Sequence, residues 1–458
     1  MALSKDILLR QIRTGEALSP GAQIRLCLLL SYPAILAQLS SVLMQYIDTA
    51  MVGHLGAAQG ASIGLVSTCL WLWGGFCVAA SSGFSVQVSH RIGASDFKGA
   101  RDVLRQALTF ALLFSGALAL LGAAISQRLP YWLGGGPDIA PDAGNYFLIM
   151  SLFMPVLQIG WMCAAMLQAS GNMKVPSILS IGMCVLDVAF NYLFIYVLDM
   201  GVVGAAWGSG LAEAITCIGM FAFLVFKSPE LRLTHEKGSF RPTRRVIGKA
   251  LGIGGPMAFQ NIMMRGAHIA STMIVAPLGT ISIAAHSFAI TAESLCYMPG
   301  YGIADAATTL VGQSLGAGRK PLATRFAWIT TFLGMGIMGL LAVLMYFFAP
   351  GMMGLMSPDA EVIRQGAEVL RIEAFAEVLY AASIVAYGAC VGAGDTKWTS
   401  VMNFGSMWVV RIIPALFLTR TYGLRGLWLC MAVELSFRGI LFLVRLYRGT
   451  WLKKAQTI

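Results

Sequence analysis

The chain has 458 residues, of which 57% are hydrophobic and only 12% charged, against about 25% charged in soluble domains. Apolar runs long enough to cross a bilayer recur throughout, and no lengthy soluble segment is left to house an enzyme domain. Alternating barrel patterning is absent, so the spans are helical, and the formal charge of +11 is scattered between spans rather than gathered into a face for nucleic acid.

In chain order, residues 1–24 form a basic amino-terminal segment in which Ile7–Ala17 reads as a short interfacial helix. No small-residue cleavage site follows an apolar region there, so no signal peptide is expected. Six spans follow at 25–52, 60–88, 101–127, 143–168, 175–198 and 202–226, and residues 25–226 are read as an amino lobe. Residues 227–248 form the linker, a basic stretch broken by Pro229, Gly238 and Pro242. Six more spans at 249–276, 281–312, 324–349, 363–390, 398–419 and 424–446 make a carboxyl lobe over 249–446, followed by a tail at 447–458. The expectation is an all-α polytopic membrane protein of twelve transmembrane helices in two six-helix repeats.

Of the 32 Lys and Arg residues, 24 fall in the two termini, the even-numbered loops and the helix edges beside them, and four (Arg128, Arg364, Arg420 and Arg425) in the odd-numbered loops and their helix edges. That bias places both termini and the linker in the cytoplasm of a plasma (inner) membrane protein. The nine cysteines lie within apolar spans without metal-ligand spacing and read as buried thiols. No phosphate loop, dinucleotide fingerprint or paired His-Glu metal motif is present, so neither catalysis nor a cofactor is expected.

The two halves repeat at an offset of 223 positions. Val52, Leu55 and Gly56 recur as Val275, Leu278 and Gly279, Gly93 as Gly316, and Gly171 and Lys174 as Gly394 and Lys397. Near the end of each half, where the offset shortens to 221, Trp207 and Glu213 recur as Trp428 and Glu434, and the two glutamates are read as sharing a packing role. Six spans per half is an even number, so the repeats are parallel and related by a pseudo-twofold axis along the membrane normal. Gly93 and Gly316 are expected to end the second and eighth spans.

Ionisable groups inside spans are costly, at about 2.5–3.5 kcal/mol each on insertion scales, and so are functional candidates. In the first half, Asp48 lies near the outer end of span one, Asp187 and Asn191 share one face of span five, and Ser209 lies in span six. At about 1.5 Å per residue, Asp48, Asn191 and Ser209 fall roughly 7–10 Å below the outer surface, with Asp187 one turn deeper. Two carboxylates in a low dielectric repel, so the pair is expected to hold a proton near neutral pH; carboxylate, amide and hydroxyl oxygens also suit Na⁺. The competing reading is structural: Asp48 caps a helix end and Asn191 bridges helices. The repeat argues against it, because the counterparts are Ser271, Val410 and Pro414, and the fold does not require the acids.

The second half carries another set: Arg265 and His268 in span seven, Glu293 and Asp305 in span eight, Glu373 and Glu377 in span ten, and Arg411 in span eleven. Opposite charges there form either a network of structural salt bridges or a second proton site. Pro33 matches Pro256 across the repeat, and a proline inside a span removes a backbone hydrogen bond and permits a bend. A bending first span would couple ion binding at Asp48 to shape.

Four stretches in this order resemble the multidrug and toxic-compound extrusion (MATE) transporters: QYIDTAMVGHLG at 45–56, LQASGNMKVPS at 167–177, AESLCYMPGYGIADAATTLVGQSLGAG at 292–318 and GACVGAGDTKW at 388–398. The resemblance runs from Leu26 to about Arg445. It implies two six-helix lobes and a polyspecific antiporter, in which inflow of H⁺ or Na⁺ drives export of amphipathic, often cationic, compounds by alternating access. It also implies a cation site at Asp48, Asp187, Asn191 and Ser209, with Pro33 as the bending proline. Asp187 stands where the family usually has Asn, which tilts the expectation slightly toward H⁺. The family's carboxyl-lobe acids are missing, with Met264 or Arg265 and Tyr380 near those places. The expected partners are therefore small amphipathic drug-like substrates and the lipid bilayer, for a functional monomer. The alternative within the same superfamily of folds is a flippase for a lipid-linked saccharide, which a cationic cavity at Arg265 and Arg411 would favour. A non-transporting scaffold or enzyme does not fit a buried titratable cluster.

Overall fold

A computed structural model of the protein describes residues 4–457; residues 1–3 and 458, the ends of the two expected terminal segments, lie outside it. The described residues form helices and no strand. The helices are α1 (Lys5–Thr14), α2 (Pro20–Gly53), α3 (Ala57–Gly93), α4 (Phe97–Ile125), the short α5 (Leu129–Trp132), α6 (Ala140–Ala169), α7 (Lys174–Tyr192) and α8 (Gly201–Ala222). After the linker come α9 (Arg244–Val275), α10 (Thr280–Gly316), α11 (Lys320–Gly354), α12 (Ala360–Ala374), α13 (Glu377–Gly392), α14 (Thr396–Gly405), α15 (Ile413–Tyr422) and α16 (Leu424–Arg448). Each expected span has its helix or helices in order. Among the described residues nine spans are long and apolar enough to cross a membrane, and α12 with α13 makes a tenth, bent by 60°. The remaining two, α9 and α10, are 32 and 37 residues long and carry Arg265, Glu293 and Asp305 in their interiors.

The repeat is present in the backbone as well as in the sequence. The bounds of α3 and α10 differ by 223 at both ends, and both helices stop at the expected glycines, Gly93 and Gly316. Gly56 and Gly279, which open them, have φ of +126° and +100°, a region that a side chain rarely adopts and glycine enters without penalty. The α7–α8 and α14–α15 spans each contain wider π turns, at Leu193–Val197, Phe223–Lys227 and Ser406–Ile412.

The chain packs as two compact units, one of Ser40–Ala258 and one of Met1–Leu39 with Phe259–Ile458. The expected lobes assigned the first and seventh spans whole; the structure divides α2 and α9 between units. Close backbone approach is the cause. Gly302 of α10 has no side chain to hold off α2, and a Cβ there would lie 2.7 Å from the Ile35 nitrogen. Gly83 of α3 meets α9 in the same way, with the Ala250 carbonyl carbon 3.0 Å from where its Cβ would stand.

In the Ser40–Ala258 unit, Phe84, Val88, Leu104, Met162, Met166 and Leu224 form a buried core, and Val66, Trp73, Phe147 and Met154 a second. The linker is tied to this unit rather than free. Leu231 is fully buried, Arg101 Nε donates to the Glu230 carbonyl at 3.1 Å, and the Thr243 backbone amide donates to Gln106 Oε1 at 2.8 Å. In the other unit, Val275, Met345, Leu370, Trp428 and Leu435 make the main core. Helix α1 differs from the expected interfacial helix: its apolar side chains Leu8, Leu9 and Ile12 are buried, α1 packs on α10, and Arg319 Nη1 donates to the Gln11 carbonyl at 3.0 Å. Protein, not lipid, covers its apolar face.

Candidate cation-binding site

Asp48, near the end of α2, and Asp187 and Asn191, one turn apart on α7, meet inside the Ser40–Ala258 unit. Asn191 Nδ2 donates to Asp48 Oδ1 at 3.1 Å and to Asp187 Oδ2 at 3.1 Å. The two carboxyl groups also lie within hydrogen-bonding reach of each other. Asp187 and Asn191 are buried, at 1% and 2% exposure, while Asp48 is half-buried. Asn191 Oδ1 is buried without a hydrogen-bond partner among the described residues. One amide thus bridges two acids and leaves an acceptor free beside them.

Local sequence explains why the three converge. The i, i+4 spacing on α7 puts Asp187 and Asn191 on one face. Gly208 of α8 is the neighbour that allows Asn191 its place: a Cβ there would overlap Asn191 Oδ1 and stand 3.0 Å from the Asn191 nitrogen. The π turn after α7 carries Tyr196, whose hydroxyl donates to the Met51 carbonyl at 2.8 Å and ties α2 to α7 one turn from Asp48. Ser209 is not joined to the site by any hydrogen bond among the described residues; it is half-buried, and the residue that meets Asn191 is its neighbour Gly208. Two further groups are within electrostatic reach of the acids: Tyr146 of α6, facing both Asp48 and Asp187, and Glu213 of α8, facing Asp187. Pro33 lies inside α2, which runs through it as one helix.

The second set is only partly a network. Arg411, in the π turn of Ser406–Ile412, reaches Glu434 Oε2 at 2.6 Å, Arg438 Nε lies 3.1 Å from Glu434 Oε1, and Ser406 Oγ donates to the same oxygen at 2.7 Å. All three charged groups are buried, at 5%, 4% and 0% exposure for Arg411, Arg438 and Glu434. Glu434 is therefore the hub of an ion triad, not the packing residue read from its match to Glu213. Glu373 and Glu377 are fully buried yet pair with neither arginine, and Glu293 is within electrostatic reach of both. Arg265 is half-buried and His268 exposed on α9, with Arg265 facing Tyr297 and Tyr301. Asp305 stands apart, about 18 Å along α10 from Glu293, with no ion pair among the described residues. Glu434 and Arg438 were missed in the sequence although their i, i+4 spacing is the same signal that singled out Asp187 and Asn191.

The MatE family profile matches residues 33–193 and again 256–417. The chain belongs to the MatE family. The two matches begin 223 residues apart, at Pro33 and Pro256, so each half of this MatE protein carries one copy of the family unit. It is 27% identical over 439 residues to a probable multidrug resistance protein NorM of Thermotoga maritima, covering 93% of this chain and 92% of that one. It is 25% identical over 444 residues to the multidrug resistance protein PmpM of Pseudomonas aeruginosa, covering 93% and 92%. Among solved structures, an outward-facing multidrug resistance MATE family transporter superposes with a TM-score of 0.90 at 21% identity, over 99% of this chain and 100% of that one. This MatE protein is thus a multi-pass membrane protein with the twelve-helix, two-lobe fold, in a family of transporters rather than enzymes.

Proposed function

We propose that the protein is a cation-coupled multidrug efflux antiporter of the plasma (inner) membrane, with Asp48, Asp187 and Asn191 as the site of the coupling ion. The observation that carries this is the single Asn191 amide donating to two carboxyl groups that also reach each other. Two such groups in a low dielectric cannot both stay ionised at ease, and one proton shared between them relieves the repulsion. Release of that proton to one side and capture from the other would supply the driving step, because only a ligand that binds two conformations differently can shift their balance. Tyr146 and Glu213 supply further polar groups around the pair, and Ser209 adjoins Gly208, the α8 residue that abuts Asn191.

Na⁺ is the second reading for the coupling ion, supported by the unpartnered Asn191 Oδ1, a hard oxygen beside two carboxylates. Pro33 is assigned the bend of the first span, by which occupancy at Asp48 would alter the shape of α2. The Lys and Arg asymmetry of the loops supports cytoplasmic termini, and the adaptable Met and aromatic side chains support amphipathic, drug-like substrates carried by a monomer. The flippase alternative loses one of its two supports, since Arg411 is engaged with Glu434 and not free for a pyrophosphate. Purified protein in proteoliposomes tests the reading. An imposed pH gradient should drive uptake of a fluorescent cationic drug, an Na⁺ gradient alone should not, and no flux under either would overturn it.

A further inference from the structure

An open, largely apolar groove of about 640 Å³ lies on the surface of the Phe259–Ile458 unit, between α16 and the break that separates α12 from α13. Leu429, Val433, Phe437 and Ile440 line it from α16, and Phe375 and Ala376 from the break. These walls are bare: Phe375 is 79% exposed and Val433 54%. Leu429 and Ile440 stand eleven residues apart, about 16 Å of helix. Half of a hydrocarbon core of roughly 30 Å is about 15 Å, so the groove is as long as one leaflet is deep.

Arg371 of α12 and Tyr346 of α11 also line the groove. The guanidinium lies over the Tyr346 ring at 5.7 Å, and its Nε donates to the Tyr346 carbonyl at 3.2 Å. The same ring meets Phe375 edge-on, with centroids 5.8 Å apart. One nitrogen and one ring face thus hold Arg371 in place, and no other hydrogen bond or ion pair engages it among the described residues. The acids of the neighbourhood are already matched. Glu368, one turn before Arg371, accepts from Arg425 at 2.8 Å and from Arg364 at 2.9 Å, and Glu361 accepts from Arg364 Nε at 2.9 Å. Those four charges cancel. Glu373 is turned into the interior at 0% exposure. Arg371 is left as an uncompensated cation whose Nη1 and Nη2 form an open fork, the geometry that takes a phosphate bidentately. The exposed ion pairs of Glu368 mark the water boundary on this face. Arg371 lies only about 4.5 Å deeper along α12, a depth from which an arginine reaches lipid headgroups.

We propose that this groove binds one phospholipid of the surrounding bilayer, with its phosphate on Nη1 and Nη2 of Arg371 and one acyl chain laid between Phe375 and the α16 side chains. Charge selects the occupant. Arg371 repels a cationic drug, and a neutral lipid leaves the fork empty, whereas a phosphodiester supplies the missing anion at the apolar end of its own chains. Phe375 and Ala376 belong to the break where the span bends by 60°, so a seated lipid packs against the bend itself. The site does not depend on transport. Only the choice of leaflet, the outer one, rests on the cytoplasmic termini proposed above.

The test uses the full chain in detergent micelles with phosphatidylglycerol carrying a diazirine in one acyl chain. Illumination expels N₂, the carbene inserts into a neighbouring C–H bond, and the adduct is located by peptide mass mapping. Adducts are expected on Phe375 and on α16 between Leu429 and Ile440. Diacylglycerol with the same chains should label there about tenfold less, because it lacks the charge-assisted bonds to the fork. Arg371→Ala should bring phosphatidylglycerol down to the diacylglycerol level, and Arg371→Lys should keep part of the labelling. Val433→Trp, which fills the groove, should lower it with Arg371 intact, and excess inorganic phosphate should leave it in place. If Arg371→Ala does not fold, the comparison of the two lipids on the unaltered protein decides alone. Equal labelling by the two lipids overturns the proposal, and so does labelling that survives Arg371→Ala. Displacement by inorganic phosphate, by a cationic drug or by dimerisation of the chain overturns it as well, since each names another occupant.

Discussion

Gly208→Ala alters no charge and no titratable group, yet it should disable the candidate site. The new Cβ would overlap Asn191 Oδ1 and stand 3.0 Å from the Asn191 nitrogen, so either the amide turns away or α8 moves off α7. In both cases Nδ2 loses its 3.1 Å bonds to Asp48 and Asp187. Hydrogen bonds to charged groups are worth about 1.5–3 kcal/mol each, so losing both alters the energetics of the site by roughly 3–6 kcal/mol. At about 1.4 kcal/mol per factor of ten, the affinity for the coupling ion should change at least 100-fold. The assay is efflux of a fluorescent cationic drug from cells, with membrane expression and thermal stability measured alongside. Gly182→Ala is the control, because a Cβ on that α7 glycine would meet nothing within 4 Å, and the variant should export normally. Adding Asn191→Ala to Gly208→Ala should cost little more, since both act through one amide. Efflux by Gly208→Ala equal to that of the unaltered protein would refute the role given to Asn191.

Glu434→Gln should be among the most destabilising substitutions in the Phe259–Ile458 unit. It leaves Arg411 and Arg438, 5% and 4% exposed, without a carboxylate, and breaking a buried ion pair costs about 3–5 kcal/mol; thermal unfolding in detergent measures it, and an unchanged melting temperature would contradict the triad. Tyr196→Phe removes the 2.8 Å bond to the Met51 carbonyl, worth about 0.5–1.5 kcal/mol. It should reduce coupled efflux several-fold while leaving expression intact, as transport assays at matched protein levels would show.

The helices were legible in the sequence because apolar length alone sets a span, and the repeat fixed their matching ends: α3 and α10 stop at Gly93 and Gly316 as read. The α12–α13 break was not legible, since Ala374–Glu377 contains neither Pro nor Gly to mark it. At the site, three of the four expected residues meet, because i, i+4 spacing and depth are properties of single helices. Ser209 makes no hydrogen bond to the other three among the described residues: which side of α8 faces Asn191 depends on helix rotation, and the residue that abuts it is Gly208, which has no side chain. The partner of Arg411 was not legible for a related reason. A buried arginine can reach several acids at its depth, and only the π turn of Ser406–Ile412 turns it onto Glu434. The interfacial reading of α1 failed because an apolar stripe looks the same whether lipid or another helix covers it.

The most direct measurement is drug-driven proton movement in proteoliposomes, with a pH-sensitive dye inside and a cationic drug added outside, for the unaltered protein and for Asp48→Asn. The unaltered protein should move protons in the direction opposite to the drug, in proportion to the drug transported. Asp48→Asn, folded and inserted to the same level, should lose both fluxes together. Drug-driven proton flux that persists in Asp48→Asn would contradict the assignment of the coupling ion to this carboxyl pair.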